Sequence, residues 1–271
     1  MITFFNNINN ELNAYWLGFI TADGNLHKNG YLLQINLGWK DFNHLCKLGK
    51  LLKKEVKETR YDYHGCYLAV SDKYMCECLN KIGLIPNKSK YSQKDIFNNI
   101  PNNLKHHFIR GLFDGDGSIS FSETKDKKII INTSFAGEND LMEIIRDYIH
   151  KNIEISDIKI DKHEKFSILR WGGKEQSLAL FNFMYREATV YLERKYEIFK
   201  KISKMKSKGL FYGVTKHYNK WVSSITVKNK RIYIGLFNTA EQAAKEYDKY
   251  AIKYKKPLYK INFMESINGT D

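Results

Sequence analysis

Trp16-Leu-Gly-Phe-Ile-Thr-Ala-Asp-Gly24 and Ile109-Arg-Gly-Leu-Phe-Asp-Gly-Asp-Gly117 share one form: apolar-x-Gly-apolar-apolar-x-small-Asp-Gly. Asp23 and Asp116 occupy the same place in the two copies, 93 residues apart. The element order downstream of each copy is also alike. After the first come strand-like runs at 25–27 and 31–37, then Gly38, Asp41 and an amphipathic helix to about Lys54. After the second come runs at 118–122 and 129–136, then Gly137, Asp140 and a helix to about His150. Each half then has two more strand-like runs, 59–63 and 66–70 against 157–161 and 165–171. Each half closes on helical sequence, 72–81 and 174–186. Pro86, Pro101 and an Asn cluster mark 86–103 as a connection docked on the outside.

Each motif reads as a helix that ends at its last glycine. Leu12, Tyr15, Trp16, Phe19 and Ile20 keep helical spacing, as do Phe108, Leu112 and Phe113. Gly24 and Gly117 are expected in the left-handed position that stops a helix. Gly18 with Ala22, and Gly111 with Gly115, are four residues apart, so each helix has a smooth strip for close approach. The expected partner is the same strip on the other half.

The chain has 271 residues, net charge +14, 43% hydrophobic and 27% charged residues. That composition excludes a disordered or Pro-rich chain, and no apolar run approaches the ~20 residues of a membrane helix. The first ten residues lack the basic and apolar regions of a signal peptide, so an intracellular, reducing setting is expected. Cys46, Cys66, Cys76 and Cys78 lack paired C-x-x-C spacing and read as free thiols rather than a zinc site. Charge is uneven. From Lys200 to Phe263, sixteen Lys and Arg face only Glu241, Glu246 and Asp248, a net +13. A folded basic segment points to a polyanion, nucleic acid before an anionic membrane.

If the two motif helices lie side by side, two carboxylates meet at helix C-termini, the wrong end of the dipole for an anion. They also repel each other. Cations must offset both, and oxygen ligands suit Mg²⁺. Carboxylate-held metal beside basic strands suits phosphodiester hydrolysis.

The paired nonamers resemble the motifs of LAGLIDADG homing endonucleases in their single-chain, two-motif form, over about 9–203. The first copy has Thr21 where the pattern has its earlier Asp. The resemblance implies that Asp23 and Asp116 bind the metals, Mg²⁺ with Mn²⁺ able to substitute, close to the backbone oxygens of Ala22 and Gly115. It implies one basic residue per half near the cleavage centre, falling on Lys88 and Lys195; without the resemblance each reads as a surface lysine. Asn36 matches the polar residue on the strand after the motif. In the second half the register is open between Ser134 and Phe135. The sheets would lie along a DNA major groove, with Gln34, Asn36, Lys40, Arg60, Lys127, Lys128, Lys159 and Arg170 as contact candidates.

The last quarter reads as three strands, from 210–215, 220–227 and 230–237, with turns at Tyr218-Asn219 and Lys228-Asn229. A helix comes next, capped by Asn238 or Thr239 and striped by Ala240, Ala243, Ala244, Tyr247 and Ala251. Tyr-Gly-Val, Lys-Trp-Val, Ile-Gly-x-Phe-x-Thr-Ala-Glu-x-Ala-Ala and Tyr-Asp-x-x-Ala resemble the DNA-binding domain of plant ethylene-response factors (APETALA-two-like) over 209–254. The resemblance implies groove contacts from Tyr212, Thr215, His217, Trp221, Thr226, Arg231 and Tyr233. Trp221 reads equally well as core.

The expected architecture is α+β: two pseudo-symmetric αββαββα repeats forming a β-saddle, at 1–103 and 104–208, and a three-stranded sheet on one helix at 209–271. The expected function is a monomeric, metal-dependent endonuclease making a staggered double-strand break in a long asymmetric DNA site. The alternatives are a non-cleaving transcription regulator and an RNA-binding group I intron maturase on the same core.

Overall fold

A computed structural model describes residues 1–59, 64–123, 129–155, 157–204, 211–227, 230–256 and 260–263. At its centre two helices, α1 (Glu11–Asp23) and α5 (Lys105–Asp116), run against each other and end on the two motif aspartates. The glycine strips make this contact. A Cβ added at Gly18 would lie 2.1 Å from the Phe108 carbonyl oxygen, and one at Gly111 would lie 1.9 Å from that of Tyr15. Helix α1 is buried from Asn13 through Thr21, so its side chains serve both halves of the core at once.

Each half builds a four-stranded antiparallel sheet. In the first, β1 (Gly24–Leu26), β2 (Leu32–Gly38), β3 (Lys57–Glu58) and β4 (Gly65–Ser71) stand in the order β1-β2-β4-β3. The helices α2 (Phe42–Leu52) and α3 (Lys73–Ile82) complete the half. The connection carries a short helix, α4 (Lys94–Asn98). In the second half, β5 (Gly117–Glu123), β6 (Ile129–Gly137), β7 (Lys159–Lys162) and β8 (Ser167–Gly172) take the order β5-β6-β8-β7. There α6 (Asn139–Asn152), α7 (Lys174–Tyr185) and α8 (Glu193–Lys204) complete the set. Strand alternation sends Leu33 and Ile35 inward and leaves Asn36 exposed. One continuous apolar cluster runs through both halves.

Two expectations change. Gly24 and Gly117 are not left-handed: both have φ −78°, an extended conformation that turns the helix straight into a strand. Their glycine identity comes from crowding, because a Cβ would lie 2.6 Å from the Ile20 oxygen and 2.3 Å from the Phe113 oxygen. The connection is not simply docked outside. Ile96, Phe97 and Ile100 are buried in the common core. The expected strand at 59–63 lies, apart from Thr59, outside the described residues.

The last part carries β9 (Val214–His217), β10 (Lys220–Val227), β11 (Lys230–Phe237) and α9 (Ala240–Lys253). The sheet order is β11-β10-β9, and Phe211 to Gly213 precede the first strand rather than belonging to it. Thr239 caps α9 in a reciprocal box with Gln242. The expected small-residue stripe, Ala240 to Ala251, is buried against the sheet in two apolar clusters. All four cysteines are free, with Cys66 and Cys76 buried. Among the described residues no helix is long and apolar enough to cross a membrane.

Candidate active site

The tight packing of α1 on α5 decides where the two carboxylates fall. Both helices end together, and a Cβ added to Gly115 would lie 2.4 Å from the Ala22 Cβ and 3.0 Å from Asp23 Oδ2. The Asp23 carboxylate thus reaches over the end of the opposite helix. Burial pushes it up to about 6, and the charge on Asp116 adds to that; Lys88 and Lys195 pull the other way. Burial also raises Asp116, again opposed by the two lysines.

Those lysines are not surface residues. Lys195 is 3% exposed, and Lys88 is half-buried. Lys88 Nζ donates to the carbonyl oxygens of Ile20 (2.9 Å), Thr21 and Ala22 (2.8 Å). Lys195 Nζ donates to those of Phe113 (2.6 Å), Asp114 (2.7 Å) and Gly115 (3.2 Å). Each ammonium caps the last carbonyls of its own motif helix, where the dipole is negative; the first of the three, Ile20 O or Phe113 O, also accepts the N–H of the closing glycine. Burial pulls both lysines down to about 8, against the opposing pull of the neighbouring carboxylates.

The donor set suits a hard divalent ion: two carboxylates and the Ala22 and Gly115 carbonyls, each of which keeps a second lone pair beside its lysine bond. The two ammonium groups do not fully offset what raises the proton affinity of the carboxylate pair. Among the described residues there is no group of three His, Cys, Asp or Glu, so nothing there suits a zinc cage.

The remaining candidates separate by strand register. Gly24 pairs with Ile35 and Gly117 with Phe135, so Asn36 corresponds to Ala136, not to Ser134 or Phe135. Phe135 is core, 1% exposed. At this register the strand after the motif carries a polar residue in the first half only. Gln34 and Asn36 lie on the outward sheet face, joined by a 3.0 Å bond. Lys40 sits beyond that strand in a 3-10 turn and is exposed. Lys159 and Arg170 are cross-strand partners on the same outward face, but Arg170 is ion-paired to Asp161 rather than free. Arg60, Lys127 and Lys128 lie outside the described residues.

In the small sheet, register separates the seven candidates. Thr215, His217, Thr226, Arg231 and Tyr233 share the face turned away from α9. Trp221 lies on the other face with Val214 and Phe237, packed against Ala240, Ala243 and Ala244. Tyr212 precedes β9 and packs against the cluster of Ile225 and Tyr247. Trp221 leaves the outward set because the helix needs its apolar area, whereas Tyr212 also lines a pocket with Thr215, Thr226 and Arg231.

Sequence reasoning missed two buried charges. Asp114, 1% exposed, accepts bonds from Tyr15 Oη (2.8 Å), Tyr185 Oη (2.7 Å) and the Leu192 backbone N–H (2.8 Å). Arg110, fully buried, donates to Glu11, Met184 O and Val190 O. The available signal was the charged residue at an apolar-flanked helix position, which must be paired if buried.

No family model matches the chain. Solved structures do. The meganuclease I-SmaMI bound to uncleaveable DNA is similar with a TM-score of 0.52 and 12% identity, over 73% of this chain and 90% of that one. The LAGLIDADG homing endonuclease I-GzeII in complex with its DNA target gives 0.50 and 15%, over 71% and 89%. I-SmaMI bound to cleaved DNA gives 0.50 and 12%, over 73% and 89%. At such identities the likeness is one of architecture, and the architecture is the two-repeat fold of the LAGLIDADG homing endonucleases, with a further small three-stranded sheet.

Proposed function

We propose that the protein is a monomeric, site-specific DNA endonuclease that makes a metal-dependent, staggered double-strand break in a long asymmetric site. The observation that carries this reading is the pair of carboxylates, half-buried Asp23 and exposed Asp116, at the adjoining ends of two packed helices. Each is flanked by an anchored lysine and a four-stranded sheet. The solved structures of the same fold include two bound to DNA as a target or cleaved product, which supports the substrate class.

Asp23 and Asp116, with the Ala22 and Gly115 carbonyls, would hold Mg²⁺, or Mn²⁺ in its place. A cation held there supplies the charge that activates water and stabilises the leaving oxygen of a phosphodiester. Lys88 and Lys195, protonated below about pH 8, add fixed positive charge beside the scissile phosphates without reorganising. The outward strand faces, with Gln34, Asn36, Lys159 and Arg170 among them, would lie in the major groove. The two halves differ at Asn36 and Ala136, so the preferred site is asymmetric. The C-terminal sheet would add a second groove contact through Thr215, His217, Thr226, Arg231 and Tyr233, as its resemblance to ethylene-response factors implies.

The test is incubation with a randomised duplex library and Mg²⁺, with sequencing of the cut ends. Cleavage at one long non-palindromic sequence with offset ends supports the reading. Binding without cutting under any divalent ion would favour a regulator, and tighter binding to structured RNA would favour a maturase.

A further inference from the structure

The two lysine anchors are alike at the ammonium and different behind it. Behind Lys195 stands Asp114, which occupies in the second motif the place that Thr21 holds in the first. Asp114 takes three donors from three elements: Tyr15 on α1, Tyr185 on α7, and the Leu192 N–H immediately before α8. Lys195 lies in the first turn of α8, and its own N–H bonds back to the Leu192 oxygen at 3.1 Å. The carboxylate of Asp114 thus fixes the residue from which the Lys195 turn is hung, while its carbonyl accepts the Lys195 ammonium. Thr21 matches this only at its carbonyl, which accepts the Lys88 ammonium. Its hydroxyl turns back to Leu17 O at 2.8 Å, within its own helix. The Lys88 turn is held instead from the connection: Gln93 Nε2 donates to Lys88 O at 3.1 Å, and Gln93 N–H donates to Glu138.

Resting on the endonuclease reading, we propose that Asp114 is a positioning residue for Lys195 alone, so that the two strand cuts have separate supports and can be uncoupled from one side. A buried carboxylate with three donors is a rigid latch, since each donor would be left unpaired if it moved. Loss of such an outer partner typically costs about 10–100-fold at the group it orients. Of the two lysine turns only that of Lys195 hangs from Asp114, while the Tyr15 hydroxyl has His44 as a second partner in the first half.

The variant is Asp114→Asn, which keeps the shape and an acceptor oxygen. Two measurements are made on it. The first is strand-resolved cleavage of a supercoiled plasmid carrying the selected site. The expected result is accumulation of nicked circle, with one strand slowed about 10-fold or more and the other near the wild-type rate. In an Asp114→Asn, Lys195→Met double variant the slow strand should be no slower than in Lys195→Met alone, because the two act as one unit. Equal slowing of both strands, or an additive double variant, would overturn the proposal. The second measurement needs no cleavage: amine acetylation mapped by mass spectrometry. In Asp114→Asn, Lys195 should gain reactivity while Lys88 keeps its own. Continued protection of Lys195 would overturn the positioning role even if the wild-type protein never cut DNA. Failure of the wild type to cut, with Lys195 released, would instead count against the endonuclease reading alone.

Discussion

Asp23 carries the sharpest consequence at the scale of single residues. Its folded proton affinity, raised to about 6 from an ordinary carboxylate value near 4, means that the folded chain holds a proton the unfolded chain has lost. Stability therefore falls as pH rises from about 4 through about 6, and the loss is complete above that range. In the absence of divalent ions Asp23→Asn should be more stable than wild type at pH 8, with the gap shrinking as pH drops through 6. Urea unfolding in chelator at pH 8 and pH 4.5 checks this; an equal gap at both would remove the strained-carboxylate account. Lys88 and Lys195 make a kinetic prediction. Each →Ala change should lower the cleavage rate by roughly 10²-fold, the range for electrostatic stabilisers, and weaken DNA affinity far less. Single-turnover kinetics beside equilibrium binding separates the two. An unchanged rate would leave the lysines with helix capping only.

At the scale of elements the glycine strips hold the geometry. Gly111→Ala forces a Cβ to 1.9 Å from the Tyr15 oxygen on a helix buried on every side, so the helices must separate. The expected cost is about 3 kcal/mol, the upper end for overpacking. Gly30→Ala has open space and only a left-handed φ of 72° to contend with, at about 1 kcal/mol. Similar unfolding midpoints for the two would contradict the close-approach account. The sequence carried this much openly: repeated motifs predicted the paired helices, and strand-like runs predicted the described strands of both halves within a few residues. It could not show how Gly24 and Gly117 are used, because crowding against Ile20 and Phe113 is a tertiary fact. Nor could it show that Lys88 and Lys195 turn inward, since the carbonyls they cap belong to helices 66 or more residues away. The outward turn of Arg231 and Tyr233, on the strand whose Phe237 faces the helix, depends on a register shift opposite Ser223 and Ser224, which no local pattern announces.

For the whole molecule, the charge distribution makes the test. The last quarter carries nearly all of the net positive charge, yet Asp23, Asp116, Lys88 and Lys195 all lie before it. Removing 209–271 should lower DNA affinity and flatten its salt dependence, by about 0.9 in log–log slope per lost phosphate contact, while cutting persists at high protein and low salt. Identical slopes and footprints would assign that segment a protein partner instead. The central claim is that two carboxylates at one helix junction serve two strand cuts, and it is tested most directly on the selected site with Mg²⁺. Asp23→Asn and Asp116→Asn should each bind the duplex nearly as well as wild type and make no double-strand breaks. Either variant cutting both strands at the wild-type rate would contradict the account.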